Sequence, residues 1–552
     1  MRAANRQYGH CAVAVLAVAA VLLCLRADAG SKEHGLDLEA PPAAQPDTRS
    51  LLSEYVRRFN AGDDELYTNA IPNSAAERFM LDNVPRFACP DKDVERTYYF
   101  RWWTYRKHLR WGEDGGWRVT EFLPKVSWSG PDNTIVCPAG HHFREGRWLR
   151  DPKYLVDNAR FWLANEKAKN RWTYSSWLFT GTCWLAEVSG LDDLPVELLD
   201  GAVSYYSRWE EGFGRKLWPA SGGGRMGGDG HGGFLSIDNH EGTEISLGGS
   251  GWKPLMNSAM WSEAKSIAAV ARRAGRAALA DEYEAKAEGV RRALMEKCWN
   301  KDVGFFTTRS YEGVPGKVRE LHGYAPWYFG VPVGVAPDWS QLSDPQGFAA
   351  TYGLTFPERR ADGFKISYEG HECQWNGPSW PFATSIALSA LANDLHKRPS
   401  AGGRRAFDFL VWQYAEQHKL TRPVKEGWNV LPWIDENCNP DKRDWIARTI
   451  LRQRGSKMRE RGKDYNHSTF CDIVISGLVG FVPNGEKGFT VDPLADPKWD
   501  YFVLENLRYR GHDVAIRYLR GKGLAVEVDG RTVAHRPDVG RLDVRVPTAV
   551  RS

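Results

Sequence analysis

The chain has 552 residues, 42% hydrophobic and 26% charged, the composition of a soluble globular protein too long for one ordinary core. Its net charge of +4, with Lys and Arg spread along the chain, excludes a nucleic-acid or anionic-membrane partner. The 24 Trp are unusual; beyond filling a core, some suit a carbohydrate cleft, where an indole face packs on the apolar face of a sugar ring.

Residues 1–29 read as an export signal. Arg2 and Arg6 give a basic start, Cys11 to Leu25 an apolar run too short to span a membrane comfortably, and Ala27-Asp28-Ala29 a cleavage site. A periplasmic or secreted protein, with no membrane association after cleavage, is expected. Residues 30–48, rich in Pro and Ala, read as a disordered leader. Apolar residues at three- and four-residue spacing predict helices over 50–60, 74–83, 92–110, 153–168, 172–188, 194–210, 256–274, 277–297, 377–395, 402–419, 441–461 and 468–480. Long loops rich in Gly, Pro, Trp and His (111–150, 214–255, 299–376 and 420–440) separate them, which argues against a simple bundle and for helical hairpins closed into a toroid over 49–482. After Gly480 the period changes to two, and Val528-Asp-Gly530 punctuates a hairpin. A small β-sandwich-like domain is expected over 483–552. The fold class is therefore mainly α, with a small C-terminal β domain. The seven cysteines beyond the signal are too scattered for a disulfide framework or a CxxC metal site, and neither a metal nor a cofactor is expected. Oligomeric state is not legible.

Two loops carry acids in a suggestive setting. One is His240-Glu-Gly-Thr-Glu-Ile-Ser-Leu-Gly-Gly, which follows a glycine-dense stretch and precedes a helix, and which places Glu241 and Glu244 three residues apart. The other is Trp433-Ile-Asp-Glu-Asn-Cys-Asn-Pro440, with Asp435 and Glu436 among aromatic and amide residues. Acids ahead of a helix are often no more than dipole-favoured residues. Yet Trp428, Asn429, Trp433, Asn437 and Asn439 make a poor cap and a good sugar-contacting loop. Glu244 and Glu436 lie 192 residues apart (436 − 244), so only a closed ring of helices brings them together. Opposed carboxylates are the equipment of glycoside hydrolysis: one protonates the leaving oxygen, the other activates water or attacks.

The acid loop, followed by Lys253-Pro and Asn257-Ser-Ala-Met, resembles that of six-hairpin glycosidases, the clan of mannosylglycerate hydrolases, family 63 α-glucosidases and trehalases. So do His371-Glu-Cys-Gln-Trp-Asn-Gly-Pro-Ser-Trp-Pro381, the Trp433–Pro440 loop, Asp464-Tyr-Asn-His-Ser-Thr-Phe-Cys-Asp472 and Cys137-Pro-Ala-Gly-His-His-Phe-Arg-Glu-Gly-Arg-Trp148, all in order. The resemblance implies an (α/α)6 barrel and an inverting, exo-acting hydrolase of a carbohydrate substrate, with Glu244 as general acid and Glu436 as general base. It implies substrate contacts from Glu241, Arg101, Trp102, His141, Trp375, Asn376, Trp380, Trp433 and His467. Relatives usually carry Asp where this chain has Glu241, and the wider clan Asp where it has Glu244, which leaves open which acid donates. Core packing competes evenly with substrate contact for Arg101 and Trp102, and capping does so for Asn466 and His467. Alternatives are a polysaccharide lyase drawing on Tyr324, His371 and Arg101, and a non-catalytic carbohydrate-binding protein. A phosphorylase fits less well, since Glu436 occupies the base position.

Overall fold

The computed structural model describes residues 46–215, 224–424 and 427–546. The expected signal segment, nearly all of the leader and the side chains of Trp428 and Asn429 lie outside the described residues. Six helical segments form a closed ring: Ala139–Gly146, Leu178–Ser189, Pro254–Arg273, Ala325–Phe329, Pro381–Lys397 and 470–478. Each touches the next, and the last returns to the first. Helices Lys92–Lys107, Lys153–Ala164, Leu199–Glu211, Ala277–Ala293 and Ala401–Gln417 pack against this ring. The molecule is a mainly α toroid with a small β region near its C-terminus.

Sequence decides which helices lie inside. Pro381–Lys397 carries small or apolar residues on every side and is buried nearly all round. Ala277–Ala293 buries a single stripe, Ala280, Tyr283, Ala287 and Val290, and its remaining surface is largely Glu, Lys and Arg. Three ring helices begin on a buried glutamate, two from other ring helices and one from the acid loop. Glu263 accepts from the Phe179 and Thr180 amides (3.3 and 2.8 Å), Glu145 from the Cys471 and Asp472 amides (3.0 and 2.8 Å), and Glu241 from the Met256 amide (3.1 Å). Each carboxyl satisfies first-turn N–H groups that would otherwise be buried unpaired.

Several boundaries differ from the sequence expectation. The 111–150 loop contains the ring helix Ala139–Gly146, whose Gly-His-His-Phe-Arg-Glu is too short and polar to show a period. The helix expected over 441–461 is only Ile446–Gln453; the chain turns at Gly455 (φ 64°). The glycine-rich excursion before the acid loop is partly an antiparallel ribbon of Phe213–Arg215, Gly224–Gly228 and Phe234–Ser236, which Gly251–Trp252 joins after the loop. A Cβ on Gly227 would sit 2.2 Å from the Trp209 carbonyl, so glycine lets this ribbon lie directly on a helix end.

The C-terminal strands Tyr501–Tyr509, His512–Leu519, Gly523–Val528 and Arg531–Arg536 form an antiparallel meander. Its last turn, Asp529-Gly530, has two positive φ values (50° and 75°), as a two-residue hairpin requires. The sheet's first strand is Arg86–Ala88, which comes from far upstream and pairs with Val503–Glu505. A second sheet joins Phe481–Pro483, Phe489–Val491 and Leu542–Val544. No helix among the described residues is long and apolar enough to cross a membrane.

Candidate active site

The acid loop is knotted around one buried lysine. Lys253, buried at the foot of the helix Pro254–Arg273, reaches Asp238 (2.8 Å), the Thr243 hydroxyl (2.7 Å) and Glu241 (3.2 Å). Asp238 also accepts from the Ser246 amide and hydroxyl (3.0 and 2.6 Å) and from Thr243 (2.7 Å). Glu241 is thereby committed to Lys253 and to the helix N-terminus. Glu244 stands apart from this knot. Its Oε2 is buried without a hydrogen-bond partner, and burial, with the charges of Asp238 and Glu436 adding, pushes its pKa up to about 7. The next residue, Ile245, has φ 57°, a conformation a β-branched side chain rarely adopts, so the loop holds strain beside the free acid.

The second loop enters from the opposite part of the sequence. Glu436 is buried and held by Arg461, whose Nε and second terminal nitrogen lie 2.8 and 3.3 Å from its two oxygens. Asp435 accepts the Glu436 amide (2.8 Å), and burial, aided by the Glu436 charge, lifts its pKa to about 7. Asn437 staples the loop by donating to the Glu372 carbonyl and accepting from the Ala447 amide, both at 3.0 Å. The two glutamates meet at Cys373. Its thiol donates toward Glu436 Oε2 (3.7 Å) and lies against Glu244.

A third carboxylate, Glu121, escaped the sequence reading. Tyr465 donates to it, and Asn466 donates its amide to the Glu121 carbonyl (3.1 Å). Burial pushes its pKa up to about 8, and the Glu436 and Glu244 charges both contribute, so all three acids share one neighbourhood. Arg461, Cys373 and Tyr465 were likewise not singled out. Glu121 sits in Val-Thr-Glu-Phe-Leu-Pro, inside a loop with no local pattern; Cys373 and Tyr465 do lie within recognised segments.

The remaining expected substrate contacts divide into two sets. Trp375 and Trp380 stack face to face (3.9 Å, 8°), and the Trp375 amide donates to the Glu244 carbonyl (3.2 Å), so this pair adjoins the acid. Asn376 follows, with its Oδ1 buried. His467 lies edge-on to Tyr465 (4.1 Å) and faces Trp380 at 6.0 Å. Trp433, on the Glu436 loop, lies beneath the Arg448 guanidinium (4.9 Å). Trp102, by contrast, is fully buried edge-on against Tyr98 and Tyr105; it is a core residue, because no sugar reaches a ring enclosed this way. Arg101 is also fully buried and donates to Thr104 (2.8 Å) and the Tyr465 carbonyl (3.4 Å). It braces the 464–467 segment from below. His141 is enclosed by Trp177 and Phe382 (5.1 and 4.3 Å), and burial depresses its pKa to about 3, so it packs as a neutral ring. The lyase set is dispersed: the Tyr324 hydroxyl donates to the Asp338 carbonyl (2.7 Å), while His371 is exposed and bonds within its own turn. Among the described residues no group of three or more His, Cys, Asp or Glu is placed to hold a metal ion, and all seven cysteines are free.

Residues 225–468, which include both acid loops, match the family model for the mannosylglycerate hydrolase MGH1-like glycoside hydrolase domain. Among solved structures the chain is similar to a sialidase at 30% identity and a TM-score of 0.77, over 90% of this chain and 45% of that one. It thus spans less than half of that protein's length. It is also similar to an α-L-rhamnosidase from Dictyoglumus thermophilum (10% identity, TM-score 0.46, 81% of this chain and 44% of that one). A further similarity is to a GH63 mannosylglycerate hydrolase from Thermus thermophilus (12%, TM-score 0.32, 73% and 98%). The fold is six-hairpin glycosidase-like, and the segment that carries both acid loops is similar to a glycoside hydrolase domain.

Proposed function

We propose that the protein is an exported, inverting, exo-acting glycoside hydrolase in which Glu244 is the general acid and Glu436 the general base. The carrying observation is the unequal environment of two glutamates that share Cys373 as neighbour. Glu244 has a buried, unpartnered oxygen and a pKa near 7, so it retains a proton to give to a leaving glycosidic oxygen. Glu436 is held in place by Arg461, a permanent cation, as suits a group that must orient and deprotonate water. The stacked Trp375–Trp380 pair, both rings nearly buried, packs beside Glu244 and keeps its surroundings apolar, which favours the protonated acid. The substrate is an oligosaccharide or small glycoside, and residues 1–29 supply the export signal. The chain acts without a cofactor.

An inverting mechanism requires a carboxyl separation of about 6.5–9.5 Å, which leaves room for the attacking water. Proton NMR of the first product released from a panel of aryl glycosides and disaccharides should show inverted anomeric configuration. Replacing Glu436 by Gln should reduce kcat by about 10³-fold or more with an unchanged circular dichroism spectrum. Retention of configuration, or near-normal turnover by Glu436→Gln, would overturn the assignment.

A further inference from the structure

The carboxylate cluster is enclosed, and exposure rises stepwise along the side chains that surround it. Glu436 is 2% exposed, Arg461 10%, Glu372 (3.2 Å from Arg461) 18%, and Trp128 43%. Exposure climbs outward from the base through its arginine to an indole. Trp128 lies with its ring centroid 5.0 Å from the Arg461 guanidinium and edge-on to Phe122 (5.6 Å, 85°). Phe122 in turn meets Tyr465 (4.7 Å), the partner of Glu121, so the indole is the solvent end of a continuous wall leading to the acids. Trp111, another strongly exposed indole, lies instead on the hairpin at 109–119 against Trp117.

The loop that carries Trp128 is held from both sides. Asn133 donates to the Phe122 and Pro124 carbonyls (2.8 and 2.9 Å) and accepts the Val126 amide (3.3 Å), and Ser129 donates to the Val126 carbonyl (2.8 Å). A large apolar face kept partly in water on an ordered loop binds without a further ordering penalty. Arg461 and Phe122 occupy part of the indole, and the remainder is open.

We propose that Trp128 is a sugar-stacking residue forming the outer wall of the substrate site, where it takes the C–H face of a neutral pyranose ring. This rests on the glycosidase reading and adds to it a specificity-determining residue on the side of the base. Acting as a platform, Trp128 contributes to binding; acting only through Arg461, it would alter the base.

The test compares wild type, Trp128→Ala and Trp128→Phe on the disaccharide that wild type hydrolyses fastest in a panel of gluco-, manno- and rhamno-configured disaccharides. Trp128→Ala should raise KM about 10-fold with kcat and its pH profile unmoved, and Trp128→Phe should restore most of the loss. Unchanged KM in Trp128→Ala, or a fall in kcat with a displaced pH profile, would overturn the proposal while leaving the glycosidase reading intact. If wild type hydrolyses no member of the panel, that reading fails by itself. Calorimetric titration with the same disaccharides then decides the proposal: loss of binding in Trp128→Ala supports it, and equal binding, or none by wild type, sinks it. The melting temperature of each variant separates loss of a contact from loss of the fold.

Discussion

A proton donor must hold its proton when substrate arrives, and burial, which raises the Glu244 pKa to about 7, lets it fill the donor role proposed for it. Above that pH the carboxyl ionises and can no longer donate, so kcat/KM should fall on the alkaline side with an apparent pKa near 7. Asp435 and Glu121, at about 7 and about 8, titrate in the same cluster, so the measured limb belongs to the group of acids as a whole. A pH–rate profile flat from pH 6 to 9 would exclude Glu244 as the acid. The donor role also predicts a dependence on leaving group. Glu244→Gln should lose about 10³-fold in kcat/KM on alkyl glycosides and far less on dinitrophenyl glycosides, whose leaving oxygen needs no proton. Equal losses on both would assign Glu244 to binding.

The helix starts carry their own pH dependence. Glu263 caps Leu178–Ser189 from the neighbouring ring helix, and its burial raises the folded-state pKa from the ordinary 4.5 to about 7. Between these values the unfolded chain releases the proton and the folded chain keeps it. This contribution is therefore full below pH 4.5 and is lost as pH rises through 7, amounting to on the order of 3 kcal/mol for a fully buried group. Glu263→Gln keeps an acceptor for the Thr180 amide and removes the ionisation. Its melting temperature relative to wild type should therefore rise between pH 5 and pH 8. A constant difference across that range would show that Glu263 does not titrate on unfolding. Neither this capping nor the place of Glu121 and Arg461 in the acid cluster was visible in the sequence, for one physical reason. Apolar spacing announces a helix such as Ala277–Ala293, and a loop motif announces Glu244 and Glu436, because both are local. Glu121, Arg461 and Glu263 act through partners dozens to hundreds of residues away, and nothing adjacent in the chain marks them.

At the scale of the molecule, the toroid and the β region are tied together more closely than the change in period at Gly480 suggests. Strand Arg86–Ala88 belongs to the C-terminal sheet yet leads directly into the buried helix Lys92–Lys107, and its partner strand buries Phe502 and Leu504. The Arg510 amide N–H donates to the Val188 carbonyl (2.7 Å), and its guanidinium pairs with Asp192. Sequence period marks where strands begin, but it cannot show that an upstream strand completes their sheet, because three residues carry no periodic signal. Removing residues 483–552 would leave Arg86–Ala88 with its backbone unpaired and expose the surface that the sheet covers. The truncated chain should therefore be recovered mainly insoluble, or should melt at least about 10 °C below the full chain, with catalytic activity lost in proportion to folded protein. A soluble 1–482 fragment with an unchanged melting temperature would instead establish the toroid as independent of the strands that follow it.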